Sequence, residues 1–156
     1  MLLQVIASLV DAAPMKRIAN EIEVIISSAL DNLDLMQTLT DCITEYMRFD
    51  ADTAHWIGMS VRESVTNAIQ HGNKLDLSKK VDICFEIAPD RLSVTVRDQG
   101  HGFQADAIPN PLDQDNLLKP SGRGIFYIRT FMDEVEFRSL FHGGTEVYMV
   151  KRIPSN

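Results

Sequence analysis

The sequence predicts one interleaved α+β domain. Residues 80–98 alternate apolar and polar positions with the period of a strand, whereas residues 33–47 and 54–72 repeat apolar positions at three- and four-residue spacing, the period of a helix. The length of 156 residues, 45% of them apolar, suits one buried core. No repeat or low-complexity tract interrupts the mixture of elements.

Met1 to Val10 is apolar, yet no basic residue precedes it and it is too short to cross a bilayer, so neither export nor a membrane span is expected. Met15-Lys16-Arg17 offers an alternative start, and residues 1–17 are expected to be a poorly ordered extension. Ile18, Ala19, Ile22, Val24, Ile25 and Ile26 form a run rich in β-branched residues that Asp31-Asn32 closes, which predicts a first strand. Leu33, Met36, Leu39, Cys42, Ile43, Tyr46 and Met47 then predict an amphipathic helix. Asp50, Asp52 or Thr53 can cap a second helix that runs to about Gly72.

Val81, Ile83, Phe85 and Ile87, then Pro89-Asp90, then Leu92, Val94 and Val96 predict a hairpin with one buried face. Residues 103–121 carry Pro109, Pro111 and Pro120 without apolar periodicity and read as a long functional or disordered loop. Helical spacing resumes through Ile125, Ile128 and Met132. Two last strands, Val135 to Leu140 and Thr145 to Val150, flank the turn His142-Gly143-Gly144.

A net charge of −7 with scattered basic residues argues against binding a nucleic-acid backbone. Cys42 and Cys84 lack the spacing of a zinc site or a disulfide framework and are expected to be buried, reduced thiols.

Chemistry-bearing residues concentrate on the second helix. At about 100° per residue, Ala54, Ile57, Val61, Val65, Ala68 and Gly72 form the stripe expected to lie on the sheet, while Glu63 and Asn67 share a direction well away from it. Spacing alone favours the plain reading of two solvated helix residues. An acid and an amide one turn apart also suit phosphoryl transfer, since an amide oxygen is a hard magnesium ligand and a carboxylate can accept a hydroxyl proton.

Asp98-Gln99-Gly100-His101-Gly102-Phe103 leaves a predicted strand, where the glycines permit close ligand approach and the aspartate can accept from an amino group such as that of adenine. Ser121-Gly122-Arg123-Gly124 opens a predicted helix, whose unpaired N–H groups favour phosphate. Each cluster alone could be a plain turn or helix start. Neither follows the Walker or dinucleotide-binding glycine spacing.

In order, Glu63-x-x-x-Asn67-Ala68-x-x-His71-Gly72, Asp98-x-Gly100-x-Gly102-Phe103, Gly122-x-Gly124-Ile125 and Gly144-Thr145 resemble the nucleotide-binding boxes of the histidine-kinase-like ATPase superfamily. VTNAIQHGN and GIFYIRTFMDEVEF further resemble the bacterial anti-sigma factor serine/threonine kinases, over about residues 18–152. The resemblance implies a two-layer sandwich in which helices cover one face of a mixed, mostly antiparallel sheet, the Bergerat fold. It implies Glu63 as general base, Asn67 as magnesium ligand and Asp98 as adenine reader. Gly100 and Gly102 would hinge a lid formed by the proline-rich segment, with Phe103 beside them. Gly122, Arg123 and Gly124 would meet the phosphates, with Ile125 next to them in the nucleotide site, and Thr145 the adenine side. Gln104 departs from the family, which often carries an acid there.

His71 is expected at the helix end or pocket wall rather than as a phosphoacceptor, and His55, His101 and His142 at the surface. The resemblance implies a cytoplasmic, homodimeric protein that uses ATP (or ADP) with Mg2+, binds a sigma factor and phosphorylates an anti-anti-sigma antagonist protein. One alternative is a nucleotide-gated module that sequesters a partner with little or no kinase activity. Another, the ATP-binding half of a histidine kinase, calls for a phosphoacceptor helix pair ahead of the domain, for which about 17 residues are too few.

Overall fold

The computed structural model describes residues 20–102 and 120–154. The expected extension and most of the proline-rich segment, Phe103 and Gln104 included, lie outside the described residues. The strands are β1 (Asn20–Ser27), β2 (Lys80–Ile87), β3 (Arg91–Arg97), β4 (Glu134–Ser139) and β5 (Thr145–Arg152). The helices are α1 (Asn32–Tyr46), α2 (Ala51–Asn67) and α3 (Pro120–Phe131).

The strands form one sheet in the order β1-β2-β3-β5-β4, with every neighbouring pair antiparallel. Register aligns Val24, Ile83, Val96, Val147 and Phe137 in one row across it and Ile22, Phe85, Val94, Met149 and Val135 in the next. Since successive side chains alternate faces, both rows lie on the same face. They join Met36, Ile43, Ile57, Val61, Val65 and Ile128 of the helices in one core. This is the α+β sandwich the sequence predicts. Burial on the central strand extends further than alternation requires, because Ser93 and Thr95 on its other face are buried too.

Of the three candidate caps for α2, Asp50 serves. Its Oδ1 accepts from Thr53 N at 2.9 Å and its Oδ2 from Thr53 Oγ1 at 2.6 Å. The buried stripe of α2 is wider than its apolar residues suggest, because Ser60 and Ser64 are also buried. Ser60 Oγ donates to Trp56 O and Ser64 Oγ to Met149 Sδ, so neither hydroxyl is stranded. Past Asn67 the helix widens into a π-turn, Ala68–Gly72, a form frequent at functional sites. Lys74 and Leu75, at φ 54° and 60°, then reverse the chain.

The cysteines correct an expectation: both are free but only half-buried. Cys84 lies on the helix-free face of the sheet, opposite Glu23 on β1. Burial, then the carboxylates of Glu21, Glu86 and Glu23, push its thiol up to about 11, which leaves it protonated and unreactive at neutral pH. Among the described residues no helix is long and apolar enough to cross a membrane.

Candidate nucleotide site

Sheet and helices meet in a cavity of about 410 Å3 between the carboxyl end of α2, the exit of β3, the start of β5 and α3. Val96, Val147, Phe137, Ile125 and Ile128 give it apolar walls. Asn67, His71, Lys74, Asp98 and Thr145 supply its polar groups. Apolar walls with a few convergent polar groups suit a flat heterocycle carrying a polar edge.

Asp98 is buried at one end. Its Oδ1 accepts from Gly100 N at 2.8 Å and Thr145 N at 3.1 Å. Among the described residues no donor reaches Oδ2, which remains as an acceptor for an incoming amino group. Burial raises the pKa of this carboxyl above the ordinary value; the two backbone hydrogen bonds and the charge of Lys79 oppose that rise.

Three close approaches build this end. A Cβ at Gly72 would overlap the Asp98 carboxylate, one at Gly100 would overlap the Gly72 carbonyl, and one at Gly144 would overlap the Asp98 carbonyl. Gly144 also holds φ +101°, a conformation that L side chains rarely adopt. Thus the turn after β3, the end of α2 and the β4–β5 hairpin contact one another through backbone.

Glu63 and Asn67 do share a face of α2, but that face is not solvated: both are half-buried. The first turns of α3 account for this, since a Cβ at Gly124 would overlap the Glu63 carboxylate. Burial raises the pKa of Glu63, while the charge of His71 and a hydrogen bond from the Asn67 side chain lower it. Asn67 lines the cavity one turn from Glu63, and an amide oxygen is a hard donor suited to a cation such as magnesium.

Among the sequence-predicted site residues, Asn67, Asp98, Gly102, Ile125 and Thr145 line the cavity. Gly100 stands behind Asp98, and Glu63 and Gly124 sit together outside the lining. Gly122 and Arg123 lie in the first turn of α3, with Arg123 exposed. Phe103 is outside the described residues. His71 is exposed and lines the cavity, and His55, His101 and His142 are exposed as expected.

Gly72 was expected only as part of the stripe facing the sheet, while Gly144 and Asn73 stand within motifs with no role of their own; the one signal for Asn73 is a polar residue directly after the helix-ending glycine. Asn73 is fully buried, and its amide spans the junction between the segment after β1, the start of β2 and the turn after β3.

Residues 26–151 match the family model described as "Histidine kinase-like ATPase domain". The chain is 31% identical over 143 residues to "Serine-protein kinase RsbW" of Bacillus subtilis, covering 88% of each chain. It is 39% identical over 99 residues to "Anti-sigma F factor" of Clostridium perfringens, covering 62% of this chain and 71% of that protein. Among solved structures, the RsbU and RsbW domains of a Mycobacterium tuberculosis protein superpose with a TM-score of 0.61 at 15% identity, covering 85% of this chain and 32% of the other. At that identity the superposition speaks for the fold alone. The chain belongs to the histidine kinase-like ATPase family, in its branch of anti-sigma factor serine kinases.

Proposed function

We propose that this chain is an ATP-dependent anti-sigma regulatory factor of the cytoplasm, a serine/threonine protein kinase that binds a sigma factor and phosphorylates an anti-anti-sigma antagonist protein. The observation that carries the reading is the half-buried Glu63 against Gly124 of α3, with Asn67 one turn on lining a cavity that ends at Asp98. In this reading the adenine amino group donates to Asp98 Oδ2 and the ring lies among Val96, Val147 and Ile128. The triphosphate runs toward α3, whose first N–H groups favour anions. Asn67 Oδ1 is the protein's ligand for magnesium. When bound, that ion neutralises phosphate charge.

The γ-phosphoryl group passes to a substrate hydroxyl, Glu63 accepts the hydroxyl proton and ADP departs. Burial of Glu63 suits this role, since a raised pKa makes a carboxylate a stronger proton acceptor. The names of the relatives in Bacillus subtilis and Clostridium perfringens support both the kinase chemistry and the sigma-factor partner. Homodimerisation is part of the same reading.

The test is transfer of label from γ-labelled ATP to the antagonist protein in the presence of magnesium. Wild type is expected to label a serine or threonine of the antagonist, and Glu63→Ala to do so at least about a hundredfold more slowly. Equal transfer by both would remove Glu63 from the chemistry. No transfer by wild type, with ATP still bound, would favour the nucleotide-gated binding module.

A further inference from the structure

We infer that Asn73 is a positioning residue for recognition of the nucleotide base, holding the turn that carries Asp98 in place from outside the cavity. The inference rests on the reading of Asp98 as the adenine acceptor. Asn73 does not line the cavity, and it is fully buried. Its Oδ1 accepts from Gln99 N at 2.7 Å, the residue immediately after Asp98. Its Nδ2 donates to Lys80 O and to Ser28 Oγ, each at 2.8 Å. Its own backbone N–H donates to Ala68 O at 2.8 Å, which fixes the main chain at Asn73 to the π-turn.

One residue therefore joins, through its side-chain amide, the segment after β1, the start of β2 and the turn after β3, and through its backbone N–H the carboxyl end of α2. The surrounding bonds make the junction stiff. Ser28 Oγ donates to Lys79 O at 2.9 Å, and Gln99 Oε1 accepts from Lys80 N at 2.7 Å. Gln99 is thus held at both its N–H and its side chain, and Asp98 next to it has little freedom to move. The same junction keeps Gly72 packed on the Asp98 carboxylate. Reading an amino group demands that Oδ2 sit within hydrogen-bond reach and direction, a tolerance a loosened turn would exceed.

Removing the Asn73 side chain takes away the acceptor of the partly buried Gln99 N–H bond and frees the turn to rotate. Discrimination at the six-position of the purine suffers most, because only that contact depends on the direction of Oδ2. A loss of general stability would instead weaken all nucleotides alike.

The experiment compares the Kd of ATP with that of inosine triphosphate, which carries an oxo group in place of the amino group. Wild type, Asp98→Asn, Asn73→Ala and Ser28→Ala are measured at a temperature where circular dichroism shows each folded. Wild type is expected to prefer ATP and Asp98→Asn to lose that preference. Asn73→Ala is expected to reduce it about tenfold, the worth of one well-directed hydrogen bond. Ser28→Ala, which loosens the same amide from farther away, is expected to reduce it by a smaller factor and decides the matter if Asn73→Ala does not fold.

An ATP preference kept at the wild-type ratio in these two variants, even with both affinities lowered, would overturn the role of Asn73 and leave the Asp98 reading standing. Absence of any ATP preference in wild type would overturn both.

Discussion

The carboxylate of Glu63 on α2 lies against the Cα of Gly124 on α3, so closely that a Cβ at position 124 would overlap it. Two residues far apart in sequence thus share one small space. The overlapping atoms belong to the end of a flexible side chain, so a substitution at Gly124 displaces Glu63 rather than the fold. Gly124→Ala should therefore give a protein that melts near the wild-type temperature, since alanine favours helix by about 1 kcal/mol over glycine. Its phosphotransfer rate should fall roughly a hundredfold. A stable variant with undiminished transfer would mean that the position of Glu63 is immaterial.

Gly144→Ala should behave in the opposite way. Here the overlap is with the backbone carbonyl of Asp98, and the residue holds φ +101°. Neither can be relieved by a rotamer change. The expected cost is about 2 kcal/mol or more, read as a lower urea midpoint at unchanged slope.

Asp98 should trade stability for binding. Its folded-state pKa is raised by burial, so its contribution favours folding at low pH and is lost as pH rises from the unfolded value through the raised one. At neutral pH the ionised carboxylate is a burden on the nucleotide-free protein. Asp98→Asn keeps an acceptor at Oδ1 and removes that burden. In thermal melts without nucleotide, the variant should be at least as stable as wild type at neutral pH and lose this advantage under acid. A variant less stable than wild type at neutral pH would contradict this.

The sheet was legible from sequence because alternation is a local signal. Val81 to Ile87 and Leu92 to Val96 bury the same face that their spacing indicates. The pairing of Glu63 with Asn67 was equally legible, since four residues make about one helical turn. What hides that face from solvent was not, because it is α3, some sixty positions away. The π-turn at Ala68–Gly72 and the burial of Asn73 were unreadable for the same reason: both are set by contacts with the turn after β3. The burial of Ser60 and Ser64 was not legible either, because a polar side chain reads as exposed until its acceptor is known. The Cys84 expectation failed because the sheet face it lies on carries no helix.

Glu63 also sets the pH dependence of transfer. Burial raises its pKa while the charge of His71 and the Asn67 hydrogen bond lower it. The active form is the carboxylate, so the rate should rise with pH through the folded-state pKa of Glu63. His71→Gln removes one of the lowering influences, so the acid limb of the kcat profile should move to higher pH. An unshifted limb would place another group in control of the rate.

The central claim is that Asn67, Asp98 and the glycines around them form one magnesium–ATP site, and calorimetric titration of ATP with and without magnesium tests it most directly. Wild type should bind ATP more tightly with magnesium, Asn67→Ala should lose that gain, and Asp98→Ala should bind weakly in either condition. Unchanged affinity and unchanged magnesium dependence in both variants would contradict the assignment of the site.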